Sequence, residues 1–493
     1  MTGQQPSLLG SFPRVFWVAN IMELFERAAY YGLNSVLAIY LTDKVSDGGL
    51  GFSEESVGFL QALVYALTYI VPILGGALAD RYGYRRMLLV AFALLSTGYF
   101  LSGQASAYGI VFASLLVMAT GAGLFKPIIS GTLARTTNES NSGFGFGIYY
   151  WMINLGAFLA PLVVSYIKGF SWNYVFIASS LYCALMFIPT IVFYRDPPKP
   201  ESTKSLKDVL TGAAMVLGDA RFMLMILIYS GFWILYFQNF GTVLWFLRDF
   251  VDPTPMNNLF TALGIPLTFD AEFVTIINAG TIILLQVVVS RIVKDTNPLL
   301  TMTSGMVIGA LGFLCLAFAS NVWIFILGIA VFSIGEMTAH PKYYSYIGLV
   351  APADKKAVYM GYAFLYGVIG SLIGSSVGGV MYEAMMKPMI ASADAPMAYR
   401  NFWLIFAALD LLATGGLLWY NRTLSADTPQ NNARARHIMS GVYVLIVFIG
   451  LYFFSIAALS GTIKYRTLVQ AIIMLVLGSG GVYISWRHRN TGG

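Results

Sequence analysis

The chain has 493 residues, of which 58% are apolar, 15% aromatic and 11% charged, against about 25% charged in ordinary soluble domains. That much apolar surface exceeds what a core of this size can hide, which excludes a soluble enzyme, a disordered scaffold and a small disulfide-stapled domain, and calls for lipid as solvent. The net charge of +6 is not gathered into one basic patch, so no nucleic-acid partner is expected; the basic residues punctuate apolar runs at loop positions.

A bilayer core needs about 20 apolar residues per helix. Runs of that size fall at 14–41, 54–79, 86–104, 108–134, 143–167 and 171–195, then 222–250, 271–294, 298–319, 321–350, 355–386 and 400–421, and last 437–458 and 466–486. They are continuous rather than alternating, so they predict fourteen membrane helices and not barrel strands. Cys183 and Cys315 lie inside such runs and read as small packing residues rather than a bridge. The first run contains charges and is too long for a signal h-region, so no cleavable leader is expected.

With both termini on the cytoplasmic side, the inner loops collect 19 basic residues and the outer loops seven. The bias predicts a multi-pass protein of the cell (inner) membrane with both ends inside. A charged linker at 196–221 divides residues 1–195 from 222–421. A second linker, 422–436, precedes a final hairpin within 437–493. The layout is six, six and two.

Between the second and third spans stands Gly75-Gly76-Ala-Leu-Ala79-Asp80-Arg81-Tyr-Gly83-Tyr-Arg85-Arg86. Its glycines allow close backbone approach, and the tight loop sets an acid among arginines. The string resembles the loop signature of the major facilitator superfamily, whose members are alternating-access carriers of two six-helix halves. By that resemblance Asp80, Arg81 and Arg85 form a latch between the halves.

The first span carries Glu23, Glu26 and Arg27, then Tyr30, Tyr31 and Asn34. At 100° per residue these fall within a ~140° arc, a polar stripe that must face a cavity or another polar helix. A mid-span charge costs about 2.5–3.5 kcal/mol on insertion scales, so three together mark a functional cluster by default. Two acids face one base, and desolvation favours a proton on the surplus acid.

Glu-x-x-Glu-Arg followed by Tyr-Tyr-Gly resembles the proton-dependent oligopeptide transporters, and further matches follow in order. Span 4 holds Gly121-x-Gly123-x-x-Lys126-Pro127, and span 5 holds Gly145-x-Gly147-x-Tyr149-Tyr150, Asn154 and Ala160-Pro161. Trp233 and Gln238 lie in span 7, Asn278 in span 8, and Gly335-Glu336-Met337 with Pro341 in span 10. The resemblance implies a major facilitator fold and proton-coupled symport of di- and tripeptides. It assigns proton coupling to Glu23, Glu26, Arg27, Lys126 and Glu336. It places Tyr30, Asn34, Tyr69, Lys126, Asn154, Trp233, Asn278 and Glu336 around the substrate, carboxylate toward Lys126 and ammonium toward Glu336. From the residues alone, Lys126 is a lone buried cation whose plausible partners are Glu23 and Glu26.

The sequence departs from the family at Ala28, at Asn34 where an arginine is usual, at Ile128 and at Ala363. Loss of the arginine keeps a second cargo open, a nitrate-like anion or an amino-acid conjugate. A peptide-sensing receptor without transport is a further alternative. Gly374-x-Ser376-x-Gly378 formally matches a hydrolase turn, but it lies in an apolar run. With Gly370 it reads instead as a small-residue packing face. No cofactor, metal or enzymatic activity is expected; the partners are protons, a short peptide and the bilayer, and the unit is a monomer.

Overall fold

The structure is a computed structural model, and it describes residues 11–138, 141–197, 206–319, 321–352, 355–459 and 465–490. Lys199, Lys204 and Lys464, counted above among the loop charges, lie outside the described residues. No strand occurs among them.

The first half runs α1 (Arg14–Asn34), α2 (Leu37–Thr42), α3 (Glu54–Tyr82), α4 (Tyr84–Gln104), α5 (Tyr108–Thr136), α6 (Ser142–Ile167), α7 (Trp172–Leu185) and α8 (Phe187–Val192). A linker helix, α9 (Leu206–Gly218), follows. The second half comprises α10 (Ala220–Gln238), α11 (Thr242–Phe250), α12 (Thr254–Ala262), α13 (Phe273–Val293), α14 (Pro298–Ala317), α15 (Val322–Val350), α16 (Lys356–Tyr362), α17 (Leu365–Met381) and α18 (Ala395–Thr423). The last pair is α19 (Pro429–Leu459) and α20 (Tyr465–Asn490).

Among the described residues thirteen stretches are long and apolar enough to cross a membrane. The fourteenth expected span is α1, which has the length but carries three charges in its middle. Part of the linker is helical: Leu206, Val209, Leu210, Ala213, Val216 and Leu217 recur at helical spacing and form α9. This helix packs against α10, α16, α3 and α20. The final pair packs on itself as a hairpin and meets the second half along α10.

Polar starts define the helices. Ser53, Asp219, Asn297 and Asn321 each accept a backbone N–H of the turn they open. Within α3, Pro72 cannot donate to the carbonyl four residues back, which leaves the Thr68 oxygen free. Gly83 makes the turn between α3 and α4 at φ 94°, where a side chain would be strained and would also meet Asp196 at 2.9 Å.

The halves meet along α3 with α17 and along α6 with α13. Gly370 sits so close to α10 that an added Cβ would lie 2.6 Å from the Trp233 Cβ, and Gly374 and Gly378 approach Ile234 and Gln238 likewise. The small-residue face read from the sequence is thus the contact of α17 with α10. Gly58 of α3 plays the same part across the halves, its Cβ position lying 2.4 Å from the Ser375 carbonyl oxygen and 3.0 Å from the Gly379 Cα. Those are backbone atoms that cannot swing away, so overpacking of about 1–3 kcal/mol is expected from Gly58→Ala. The strain should part the halves at this end. A cysteine replacing buried Leu41, with Cys183 and Cys315 removed, should then react faster with a maleimide; unchanged reactivity would contradict the wedge.

Candidate functional site

The charged stripe of α1 is buried against α5, α6 and α7. Glu23, Glu26 and Arg27 are 1%, 0% and 6% exposed, so their charges are shielded from bulk solvent. Arg27 Nε lies 3.4 Å from Glu23 Oε1 and 2.5 Å from Glu26 Oε2, and its guanidinium stacks 5.0 Å from the Tyr30 ring centre. One base therefore serves both acids, and Glu26 Oε1 is left without a hydrogen-bond partner among the described residues.

Lys126 differs from expectation. Neither Glu23 nor Glu26 comes within 4.0 Å of it, because both are held by Arg27. Its ammonium instead lies 4.8 Å over the Tyr69 ring and 3.5 Å from the Thr68 carbonyl oxygen, the one that Pro72 leaves unbonded. A cation held by a ring face and a lone carbonyl keeps donors for an incoming anion.

Across the molecule, Glu336 of α15 accepts a hydrogen bond from Asn278 Nδ2 at 3.0 Å, and the same amide reaches Ser333 Oγ at 2.9 Å. Between Lys126 and the Glu336 helix runs an aromatic wall. Tyr69 meets Tyr366 at 5.9 Å between ring centres, Tyr366 meets Trp233 at 4.3 Å, and Trp233 meets His340 at 5.0 Å. The Trp233 indole N–H is buried without a partner among the described residues, a donor in that wall. Asn154 is 6% exposed and spends its amide on the Tyr150 carbonyl at 2.9 Å.

Asn34 is fully buried. Its amide donates to the Tyr30 carbonyl at 2.8 Å and its oxygen accepts from the Tyr65 hydroxyl at 2.9 Å. The structure thus brings Lys126, Tyr69 and Trp233 into one line of rings that ends at His340, one helical turn from Glu336 and its partner Asn278, and it commits Asn34 to Tyr65.

The latch residues keep their partners within the first half. Asp80 pairs with Arg135 at 2.6 Å and accepts from the Tyr84 hydroxyl at 3.2 Å. Arg85 donates to the Thr190 and Ile191 carbonyls at the end of α8, and Arg81 lies over the neighbouring Tyr82 ring. Among the described residues no ion pair joins the two halves at this arginine-rich end.

Ion pairs join them at the opposite end. Lys168, at the end of α6, lies 2.5 Å from Asp270 and 2.6 Å from Glu272 before α13. Arg248 of α11 lies 2.9 Å from Asp43 and 3.4 Å from Glu54, and Lys387 reaches Glu54 at 2.6 Å. The indole N–H of Trp245 donates to the Ala38 carbonyl at 3.3 Å, and the Gln61 amide donates to the Phe240 carbonyl at 2.7 Å. Sequence reasoning missed this clasp. Its members look like ordinary loop charges, and only their pairing across more than 100 residues gives them a role. Burial pushes the Glu272 carboxyl up from its ordinary value, against the pull of Lys168. Burial acts to lower the Lys168 ammonium, but Glu272 and Asp270 outweigh it and raise it.

Residues 19–266 match the family model of the Major Facilitator Superfamily. A peptide transporter of Yersinia enterocolitica is 29% identical over 163 residues, 31% of this chain and 32% of that protein. Dipeptide and tripeptide permease A of Klebsiella pneumoniae is 33% identical over 174 residues, 34% of this chain and 33% of that protein. The match thus spans about a third of the length of these curated relatives. The crystal structure of a POT family transporter in complex with 5-aminolevulinic acid superposes with a TM-score of 0.68 at 19% identity, covering 84% of this chain and 99% of that one. The resemblance to the oligopeptide transporters is borne out by these relatives, and the two-half fold by the superposition. With its family model covering half of its length, the chain belongs to the major facilitator superfamily.

Proposed function

We propose that the protein is a proton-coupled symporter of di- and tripeptides that works by alternating access. The observation that carries this reading is the pair of opposed charges, Lys126 in one half and Glu336 in the other, with an aromatic wall between them. A zwitterion suits opposed charges of this kind: its carboxylate meets Lys126, its ammonium meets Glu336, and the rings of Tyr69, Tyr366 and Trp233 take varied side chains. Binding would then draw the halves together.

Glu23 and Glu26 share Arg27, and a proton on either one changes the field at Lys126. That cluster is the coupling element. The arginine-rich end is the cytoplasmic one in this proposal, with both termini there and the chain in the cell membrane. The clasp therefore closes the outer side. Entry of one elementary charge gains about 2.3 kcal/mol per 100 mV, enough to drive accumulation.

The test is uptake of labelled dialanine by proteoliposomes, with and without an inward proton gradient and a negative interior. Accumulation that requires the gradient is expected. A second cargo stays in view because Asn34 is committed to Tyr65 and leaves Lys126 as the main cation. Uptake that amino-acid conjugates compete for, and dipeptides do not, would replace the peptide reading.

A further inference from the structure

One buried acid of the second half belongs neither to the charged cluster of α1 nor to the aromatic wall. Asp410 stands near the middle of α18, 0% exposed, and neither carboxyl oxygen has a hydrogen-bond partner among the described residues. One turn along the same helix face is Thr414, 5% exposed, whose hydroxyl is also unpartnered. A helical threonine ordinarily bonds the carbonyl four residues back, so this free hydroxyl is available to the carboxyl beside it.

The facing wall is apolar. A Cβ on Gly309 of α14 would lie 2.6 Å from the Phe232 ring of α10 and 3.6 Å from Asp410 Oδ2. The acid therefore sits in the seam of α10, α14 and α18, of which α10 also carries Trp233. Among the described residues no charged group pairs with it. Among its residues α14 has no charged group, and its titratable Cys315 lies further along the helix. On α10, Arg221 is at the helix start, and Tyr229 is the group in electrostatic reach of Asp410; its hydroxyl lies 3.5 Å from His340 Nδ1. On α18, Arg400 and Arg422 stand at opposite ends. An ionised carboxylate in such a seam is an uncompensated buried charge, the costliest state the site can adopt.

We propose that Asp410 is a second proton-binding site of this protein, loaded in the clasped conformation. One aqueous proton joins one carboxylate oxygen, and no other bond changes. The proposal is independent of which solute is carried.

Infrared difference spectroscopy of the full chain in lipid at neutral pH tests it. The spectrum should contain a protonated-carboxyl C=O band that shifts in D2O, disappears in Asp410→Asn and persists in Glu336→Gln. A spectrum unaltered by Asp410→Asn would overturn the proposal. So would a carboxylate signal at Asp410 that depends on added Na+, which would make the site one for a metal cation.

Discussion

Replacing Lys126 with alanine is expected to abolish gradient-driven accumulation while leaving the fold intact. The side chain pairs with no acid among the described residues, so its removal strands no buried partner charge. On the proposed function, what is lost is the cation offered to the substrate carboxylate, and a hydrogen bond to a charged group contributes about 1.5–3 kcal/mol, a factor of about 10 to 100 in affinity. The coupling loss adds to it, because a proton on Glu23 or Glu26 would no longer have a neighbouring cation to influence. Lys126→Arg keeps the charge but changes its shape and its seat on Tyr69, so partial uptake with weakened affinity is expected. Proteoliposome uptake of labelled dialanine, alongside thermal unfolding of each variant, checks both. Undiminished accumulation in Lys126→Ala would sink the coupling scheme.

Much of this architecture is legible in sequence because membrane helices declare themselves by continuous apolar length. The charged stripe of α1 is legible for the converse reason: Glu23, Glu26 and Arg27 violate that rule within one turn. What stays hidden is pairing. That Arg27 takes both acids and leaves Lys126 to Tyr69 depends on distances of a few ångströms between helices, which helical spacing does not specify. The role of Pro72 shows the same limit: its position is plain, but the carbonyl it frees matters only because α5 delivers Lys126 to it. Lys168 and Glu272 are 104 residues apart and meet only once α6 packs on α13. Two features had a signal that local reasoning passed over. The apolar spacing of Leu206, Val209, Leu210 and Ala213 already implies a helix in the linker, and Asp410 is a single acid in an otherwise apolar run.

Removing Lys168 is expected to open the clasp, and acid is expected to close it again. Glu272 is 0% exposed, so in Lys168→Ala its carboxylate would stay buried beside only Asp270, a like charge. Breaking a buried pair by deleting one partner costs about 3–5 kcal/mol, and the partial exposure of this site argues for the lower end, about a 100-fold shift toward separated halves. The pH response follows from Glu272. In the closed form its value is raised above the ordinary 4.5 by burial, and when the clasp opens it meets water and returns. The closed form therefore holds the extra proton between those two values, and falling pH through that window favours closure. Asp43 acts in the same direction, since burial raises it against the pull of Arg248. Lys168 adds nothing to the acid response: its contribution is fully present below its ordinary 10.5 and is lost only as pH rises beyond its raised value. Spin labels at the exposed positions Asp47 and Leu263 report the separation of the halves. In Lys168→Ala the long-distance population should dominate at neutral pH and collapse on acidification, while Lys168→Ala with Glu272→Gln should stay closed throughout, because a neutral amide can be buried where a lone carboxylate cannot. Opening on acidification, or a double variant as open as the single one, would show that Glu272 is not the group that the clasp must neutralise.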